Sequence, residues 1–283
     1  MPSLAPTRPV EYLLIGHICK DLTPQGPALG GTAAYSGLTA RALGFHVGVV
    51  TSCSQDLDIS PLASLEIVRV PSETSTTFEN RYTANGRIQV LHARASPLGS
   101  ESVPALWGSP QIVHLGPVAQ EVDPNLVNRF PTALVCLTPQ GWMRGWDGEG
   151  HVGYMPWADR ERLLGAAHAA VVSVEDVQGD EAAIEEMAEL SRLLVVTEAA
   201  DGARVYWNRD LRRIPAPAVP QVDPTGSGDI FAAAFFIRLF QTRDPWEAAR
   251  FANFLASASV TRRGIAGTPT PGEVEAARQQ VIP

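Results

Sequence analysis

Short, uninterrupted apolar runs recur along this chain and constrain its fold more than any other feature. Continuous rather than alternating runs are typical of parallel strands whose two faces are both covered by helices. The pattern therefore predicts a three-layer α/β/α sandwich around a mostly parallel sheet, formed by residues 1–283 as a single domain. The runs are Tyr12 to Ile15, Val47 to Thr51, Ile112 to Leu115, Ala133 to Leu137, Ala170 to Val174 and Leu193 to Thr197.

Residues 67–94 follow a different pattern. Thr76 to Thr83 and Arg87 to Ala93 are rich in β-branched and aromatic residues, and Asn85-Gly86 between them is a strong hairpin-turn signal. Because an antiparallel hairpin fits poorly inside a parallel sheet, we expect a lid over one end of the domain, formed by about residues 12–20 and 67–94. The alternative is pairing with a second subunit, which would give a homodimer.

Charge and composition exclude several kinds of partner. The formal net charge of -8, without any run of basic residues, disfavours nucleic acid and anionic lipid surfaces. No apolar stretch reaches the roughly 18 to 20 residues that a membrane span requires, so we expect a cytoplasmic protein without membrane contact. Three widely spaced cysteines in apolar segments indicate buried, reduced thiols rather than a disulfide framework.

The single lysine limits the classes of phosphate chemistry. Lys20 is followed by Asp21 rather than by serine or threonine, so the chain cannot contain a Walker A loop. The H-R-D and D-F-G sequences of protein kinases are also absent. Any phosphate site must therefore be built in another way.

The most informative segment is Asp-Pro-Thr-Gly-Ser-Gly-Asp at positions 223–229, which precedes an apolar helical stretch. A helix N-terminus carries unpaired backbone N–H groups and about half a positive charge, so the backbone from Gly226 through Ser227 to Gly228 can cradle an anion. Asp229 then has two interpretations. It either complements the helix dipole or accepts a proton from a bound hydroxyl group.

This segment resembles the D-x-T-G-A-G-D signature of the ribokinase-like, phosphofructokinase-B (PfkB) carbohydrate kinases. The resemblance implies ATP-dependent phosphorylation of an alcohol group, with Asp229 as catalytic base and the Gly226 to Gly228 backbone holding the transferring phosphoryl group. It also implies that Asp223 and Thr225 help to bind a monovalent cation such as K⁺, and that Mg²⁺ accompanies ATP.

A second match lies near the N-terminus, where Leu29 to Gly44 resembles the di-glycine segment of the family and the helix after it. The resemblance implies that Gly30 and Gly31 act as a lid hinge; the alternative is a plain turn before the helix. It implies that Asp21 binds substrate hydroxyls, although an N-cap or a surface aspartate gives the same pattern. Tyr35 stands where ribokinases carry asparagine, so the resemblance implies that Tyr35 contacts the substrate and that ribose itself is not the expected substrate.

The remaining matches concern the nucleotide half of the family site. The segment from Val195 to Ala203 resembles a strand followed by T-x-G-x-x-G and implies that Thr197, Ala199 and Gly202 bind ATP; Ala199 replaces the first glycine. If the backbone there has a positive φ, this alanine costs on the order of 1 kcal/mol. Asn253 resembles the helix residue that closes over adenine, or it is a helix-surface amide.

Ser173-Val174-Glu175-Asp176 occupies the place of the family's N-x-x-E segment and implies that Glu175 and Asp176 hold magnesium-bound water. The alternative is a helix N-terminus capped by Ser173, and both can hold together. Arg144 follows a strand end, where ligands of α/β proteins bind, and is predicted to contact substrate. A surface arginine stacked on Trp142 or Trp146 is the other interpretation.

The matches follow the family order along nearly the whole chain, and the hairpin and Tyr35 look most like the inositol kinase and archaeal sugar or nucleoside kinase branches. A small polyhydroxyl substrate, a cyclitol or a sugar, is therefore expected. A nucleoside is the second choice. A non-catalytic sugar-binding relative of the same fold is the alternative from another class.

Overall fold

A nine-stranded sheet forms the middle layer of the computed structural model, which describes residues 8–83 and 86–279. The strands of the described chain are β1 (Tyr12–Ile15), β2 (Cys19–Thr23), β3 (Gly26–Gly30), β4 (Val47–Cys53), β5 (Glu66–Pro71), β6 (Thr77–Thr83), β7 (Gly86–Ala93), β8 (Ile112–Leu115), β9 (Leu134–Leu137), β10 (Arg144–Trp146), β11 (Val152–Tyr154), β12 (Ala169–Ser173), β13 (Leu193–Thr197), β14 (Ala203–Trp207) and β15 (Asp210–Ile214). The α-helices are α1 (Thr32–Ala42), α2 (Arg160–Ala166), α3 (Glu181–Leu190), α4 (Ser227–Thr242), α5 (Pro245–Ser259) and α6 (Pro271–Gln279).

The order of strands in the central sheet is β15-β14-β13-β12-β9-β8-β1-β4-β5. Neighbours from β13 to β5 pair in parallel, and only β14 and β15 at one edge are antiparallel. The carboxyl ends of the parallel strands therefore meet at one edge of the sheet, where ligands of such folds bind.

Helices cover both faces of this sheet, which explains the continuous apolar runs. In β1, Tyr12 and Leu14 pack in the core shared with α1, α4, α5 and α6, whereas Leu13 and Ile15 pack in the core shared with α2 and α3. Successive side chains of a strand point to opposite faces, so both sets must be apolar. The predicted three-layer, mostly parallel sandwich is confirmed.

The lid is a separate four-stranded sheet with the order β3-β2-β6-β7. Its bounds differ from those expected, because Tyr12–Ile15 and Glu66–Pro71 belong to the central sheet and the hairpin of β2 and β3 supplies two further lid strands. Apolar β1 needs burial on both faces, whereas β2 carries polar residues and both β2 and β3 are partly exposed. Asn85 of the predicted turn lies outside the described residues.

A second hairpin, formed by β10 and β11, was not expected from the sequence. It contacts the lid where the Leu91 N–H donates to the Gly150 carbonyl oxygen at 2.8 Å. The Arg94 guanidinium also lies 5.6 Å from the ring centroid of Trp146. The lid is thus braced against the main body at its β7 edge.

Two predictions from composition concern the whole described chain. Cys19, Cys53 and Cys136 are buried and unpaired, as expected. Among the residues described, none of the helices is both long and apolar enough to cross a bilayer.

Candidate active site

A cavity of about 650 Å³ opens at the carboxyl edge of the central sheet and extends beneath the lid. It brings together residues from segments that are far apart in sequence. Of the predicted site residues, Gly30 and Asp223 do not line it. Those that do are Asp21, Gly31, Tyr35, Arg144, Glu175, Asp176, Thr197, Ala199, Gly202, Thr225, Gly226, Ser227, Gly228, Asp229 and Asn253.

Asp229 lies in the first turn of α4, with its side chain facing this cavity. Burial raises the pKa of its carboxyl group to about 6, although a hydrogen bond from Thr32 and the charge of Arg144 act in the opposite direction. The Ser36 hydroxyl donates to the Asp229 carbonyl oxygen at 2.9 Å. Helix α1 therefore holds both the side chain and the backbone of this residue, and a carboxyl with such a pKa can take up a proton near neutral pH.

The backbone before Asp229 forms the expected anion cradle in part. Gly226 caps α4 with φ 79°, and a Cβ there would overlap the ring of Tyr35, so only glycine fits. The Ser227 N–H donates to the Pro224 carbonyl oxygen at 3.2 Å and is not available to a ligand. In the described chain no acceptor is found for the N–H of Gly226 or Gly228, which leaves these two donors for an anion.

Tyr35 lines the cavity near the glycine loop. Its ring is buried against Gly226, and burial together with the charges of Asp21, Asp229 and Asp223 raises its pKa well above the usual range. Tyr35 therefore stays a neutral phenol, and its ring supports the glycine loop by packing against Gly226.

Asp21 lies on β2 of the lid sheet and faces the cavity. Burial raises the pKa of its carboxyl group to about 6, the charge of Arg144 lowers it and that of Asp229 raises it further. The carboxylate occupies the space where a Cβ of Gly30 would be, and a Cβ on Gly31 (φ 84°) would overlap the His17 carbonyl oxygen. The di-glycine is therefore required by packing, and Asp21 is neither an N-cap nor a surface residue.

Arg144 begins β10, and its charge lowers the pKa of both the Asp21 and the Asp229 carboxyl groups. Its Nη1 donates to the Val118 carbonyl oxygen at 3.0 Å, and the guanidinium lies 5.4 Å from the ring centroid of Phe78 on the lid. Of the two tryptophans considered above, Trp142 stacks on Trp157, and the Arg94 guanidinium lies over Trp146. Arg144 is thus a cavity residue at the junction of lid and body.

The other half of the cavity lies beside the loop after β13. Ala199 has φ 50°, the positive value under which alanine is strained, and Gly202 has φ 97° with its missing Cβ against the Ile214 carbonyl oxygen. The buried Asn253 amide donates to that same oxygen at 2.8 Å, so it is not a helix-surface group. This hydrogen bond fixes the loop after β15 against α5.

Asp176 forms the capping box considered for it in the sequence and also lines the cavity. Its Oδ2 accepts the Ser173 N–H at 2.8 Å in a capping box, and its Oδ1 accepts from Gln140 Nε2 at 2.7 Å at the cavity wall. Burial raises the pKa of this carboxyl group. Across the described residues no group of three or more histidine, cysteine or acidic side chains is arranged to hold a metal ion.

Asp223 lines a neighbouring cavity rather than the main one. Its two carboxylate oxygens accept the N–H groups of Thr225 and Gly264, each at 2.9 Å. Burial acts to raise its pKa, but these hydrogen bonds and the charge of Arg263 outweigh it and hold the pKa below the ordinary value. Asp223 is thus a permanent anion that ties the glycine loop to the segment after α5.

The cavity wall also includes residues that were not singled out from the sequence as site residues, among them Thr32, Gln140 and Phe78. Thr32 directly follows the di-glycine, and Gln140 follows the end of β9, so their positions in the motifs were available as signals. Phe78 belongs to the lid, and its contact with Arg144 depends on tertiary structure alone.

Comparison with known proteins adds an independent finding. The model of the pfkB family carbohydrate kinases matches residues 158–271, which include the Thr197 to Gly202 loop, the glycine loop and Asn253. Rice inositol 3-kinase is 29% identical over 302 aligned residues, which cover 95% of this chain and 73% of the relative. Over these residues the chain is similar to the pfkB carbohydrate kinases.

Other pfkB relatives and solved structures agree with this. Maize inositol 3-kinase is 32% identical, over 52% of this chain and 39% of the relative, so that alignment spans well under half of the maize protein. A pyrophosphate-dependent kinase of the ribokinase family, solved with a pyrophosphate analogue and myo-inositol, superimposes with a TM-score of 0.80 at 22% identity, covering 94% of this chain and 99% of the neighbour. Ribokinase from Thermotoga maritima gives a TM-score of 0.74 at 19% identity, covering 96% and 100%. The fold is thus that of the ribokinases.

Proposed function

We propose that the protein is an ATP-dependent kinase that phosphorylates a hydroxyl group of a small polyhydroxyl compound, with a cyclitol such as myo-inositol as the first candidate. One observation carries the proposal. The Asp229 carboxyl, with a pKa of about 6, faces the same cavity as two unpaired N–H groups, those of Gly226 and Gly228, at the start of α4. Proton removal and stabilisation of negative charge can therefore occur at one place.

The chemical step follows from that arrangement. The Asp229 carboxylate accepts the proton of the substrate hydroxyl as its oxygen forms a bond to the γ-phosphorus, and the bond from that phosphorus to the leaving oxygen of ADP breaks. Negative charge on the transferring phosphoryl oxygens faces the N–H groups of Gly226 and Gly228 and the positive end of α4. General-base help of this kind is worth about 100- to 10,000-fold in rate.

The substrate half of the cavity suits neighbouring hydroxyl groups. The Asp21 carboxylate accepts hydrogen bonds and the Arg144 guanidinium donates them, so together they match a ring with hydroxyls on adjacent carbons. Relatives that are inositol 3-kinases, and a structural neighbour solved with myo-inositol, support a cyclitol.

The nucleotide half supports ATP as the phosphoryl donor. Beyond Thr197 and Gly202 the cavity is walled by small apolar residues, a surface suited to a flat purine. Pyrophosphate would leave this wall uncovered, although one structural neighbour uses it. The wall residues are Ala216, Ala218, Val219, Ala256 and Val260.

Acidic residues in and beside the cavity would hold the metal ions that a kinase of this kind requires. Mg²⁺ retains several waters and binds largely through nucleotide phosphates, so Asp176 and Glu175 at the cavity wall would hold its water shell. Magnesium supplies charge neutralisation of the phosphates when bound. The permanently ionised Asp223, with Thr225, would hold a monovalent cation such as K⁺ at the base of the glycine loop.

Two expectations about the lid also remain proposals. The di-glycine at Gly30 and Gly31 would act as its hinge, since it connects β3 of the lid to α1 of the body. Pairing of two lids would give a homodimer, which sedimentation equilibrium would detect as a mass near 60.6 kDa, twice the 30.3 kDa of one chain.

The decisive experiment uses inositols, sugars and nucleosides as acceptors, and measures ADP release when ATP is the donor and phosphate release when pyrophosphate is the donor. We expect turnover with a cyclitol and ATP. A nucleoside is the second candidate, favoured by a cytidine kinase from Thermococcus kodakarensis that is 24% identical over 80% of this chain. Binding of a sugar without any release of ADP would instead indicate the non-catalytic relative.

A further inference from the structure

A chain of three polar side chains crosses the apolar core beneath the proposed active site. Tyr12 of β1 and His114 of β8 are fully buried, and Tyr12 Oη lies 2.8 Å from His114 Nδ1. On the other side of the imidazole, His114 Nε2 lies 2.8 Å from Thr138 Oγ1 at the end of β9. Thr138 is the member of this chain that reaches the cavity.

Buried polar groups require partners, and this requirement fixes the direction of the hydrogen bonds. Within the described structure, His114 is the one hydrogen-bond partner of the Tyr12 hydroxyl. If the phenol accepted from Nδ1, its own hydrogen would be buried without an acceptor, an unfavourable arrangement. Tyr12 therefore donates to Nδ1.

The tautomer of His114 follows from that direction. A neutral imidazole that accepts at Nδ1 carries its hydrogen on Nε2, so His114 donates to Thr138 Oγ1. Burial lowers the pKa of His114 to about 3, and the imidazole remains neutral at any pH at which an enzyme assay is run. Phe236 packs edge-on against the ring with centroids 5.0 Å apart, which restrains its plane.

The Thr138 hydroxyl thus accepts from His114 and still has its own hydrogen to donate. No acceptor for that hydrogen is found in the protein within residues 8–83 and 86–279. The side chain is 8% exposed, and its accessible part lies on the cavity. A ligand in the cavity is the acceptor that this arrangement leaves open.

The position of Thr138 indicates which ligand that is. Thr138 Oγ1 and the methyl group of Thr32 lie 3.2 and 2.6 Å from the point that a Cβ of Gly116 would occupy, so the two threonines are neighbours. The Thr32 side chain in turn lies close enough to the Asp229 carboxyl to lower its pKa. Thr138 therefore lies on the side of the cavity where the substrate hydroxyl that receives the phosphoryl group would meet Asp229.

We propose that Thr138 is a substrate-binding residue that donates a hydrogen bond to a ring hydroxyl oxygen of the polyol, and that Tyr12 and His114 are positioning residues that fix its direction. This inference rests on the proposed function and deepens it. Because the Thr138 hydrogen needs an acceptor, the site favours an oxygen at that ring position and disfavours a deoxy substituent there.

The test uses the full-length protein with ATP and the polyol found active in the acceptor panel. Thr138→Val keeps the shape and removes the hydroxyl, and we expect KM for the polyol to rise about 3- to 10-fold, with KM for ATP unchanged. Thr138→Ser should restore most of the loss. The matched control is Thr242→Val, which removes a hydroxyl bonded within α4 to the Arg238 carbonyl oxygen, far along the helix from Asp229, and should behave as wild type.

Positioning by the core is tested with Tyr12→Phe, alone and combined with Thr138→Val. In the wild-type background Tyr12→Phe should raise KM for the polyol, because His114 is then free to carry its hydrogen on either nitrogen. In the Thr138→Val background it should change KM no further. If the two substitutions raised KM by independent factors that multiply in the double variant, the proposed positioning of Thr138 by Tyr12 and His114 would be wrong. A loss of stability alone would not explain a double variant whose KM equals that of Thr138→Val.

Failure of this inference is distinguishable from failure of the proposed function. Wild-type protein that turns over a polyol while Thr138→Val retains the wild-type KM for it would overturn the role of Thr138 alone. A rise in KM for ATP instead of the polyol would do the same. Should Thr138→Val not fold, Thr138→Ala and a deoxy substrate series provide the same comparison. Wild-type protein without turnover on any polyol would remove both proposals.

Discussion

Replacing Asp229 with asparagine should abolish most turnover and make the protein more stable, and both effects follow from the environment of one carboxyl group. Asparagine keeps the shape and can still accept from Thr32, but it cannot act as a base. We expect kcat to fall about 100- to 10,000-fold while ATP and polyol binding are largely kept. The measurement is ADP release together with calorimetric binding of each ligand.

The stability effect can be worked out from the pKa. Folding raises the pKa of Asp229 from 3.8 to about 6. A carboxyl with a raised folded pKa binds its proton more tightly in the native state, so its ionisation lowers the free energy of unfolding as the pH rises through this window. A shift of about 2 units corresponds to about 3 kcal/mol. Because the side chain is only part-buried and solvent reaches it from the cavity, we expect about 1 to 3 kcal/mol.

Urea unfolding followed by tryptophan fluorescence at pH 4, 6 and 8 tests this. The stability gained by Asp229→Asn should be small at pH 4, where the folded carboxyl is neutral and the unfolded one only partly ionised, and should approach its full value by pH 8. A gain of equal size at all three pH values, or a loss at pH 8, would show that burial of an ionised carboxyl is not the cause.

Two further predictions concern pH and backbone strain. The acid limb of kcat/KM in the wild-type protein should lie near pH 6, because the carboxyls of Asp21 and Asp229 both have a pKa of about 6. Arg144→Gln removes a charge that lowers both pKa values, so the limb should move to higher pH, and an unmoved limb would exclude this coupling. Ala199→Gly should raise the free energy of unfolding by about 0.5 to 1 kcal/mol, the relief of a positive φ less the greater freedom of unfolded glycine. Urea unfolding measures it, and a destabilised variant would contradict the strain.

The sequence predicted the central layer well, because residues buried on both faces of a strand leave a signal in their own segment. Val195 and Val196 must both be apolar whatever the rest of the chain does. The backbone strain considered for Ala199 likewise depended on a local property, a positive φ at that residue, and the structure has a φ of 50° there. The lid was predicted less accurately, since short polar strands such as Cys19–Thr23 carry no comparable periodicity.

Features that depend on tertiary contacts could not be predicted. The partnership of Tyr12 with His114 joins residues 102 positions apart, and nothing near either one indicates it. The engaged N–H of Ser227 depends on the local turn at Pro224, which the motif alone does not specify. Family resemblance predicted most of the residues that line the cavity, but the pattern of hydrogen bonds among them required coordinates.

The space shared by Gly30 and Asp21 restricts how this protein can evolve. Any side chain larger than hydrogen at position 30 would displace the carboxylate proposed to hold the substrate, so the two positions can vary only as a pair. A homologue that has changed residue 21 to accept a new substrate would no longer require glycine at position 30. Loss of that glycine in a homologue would therefore indicate a changed substrate specificity.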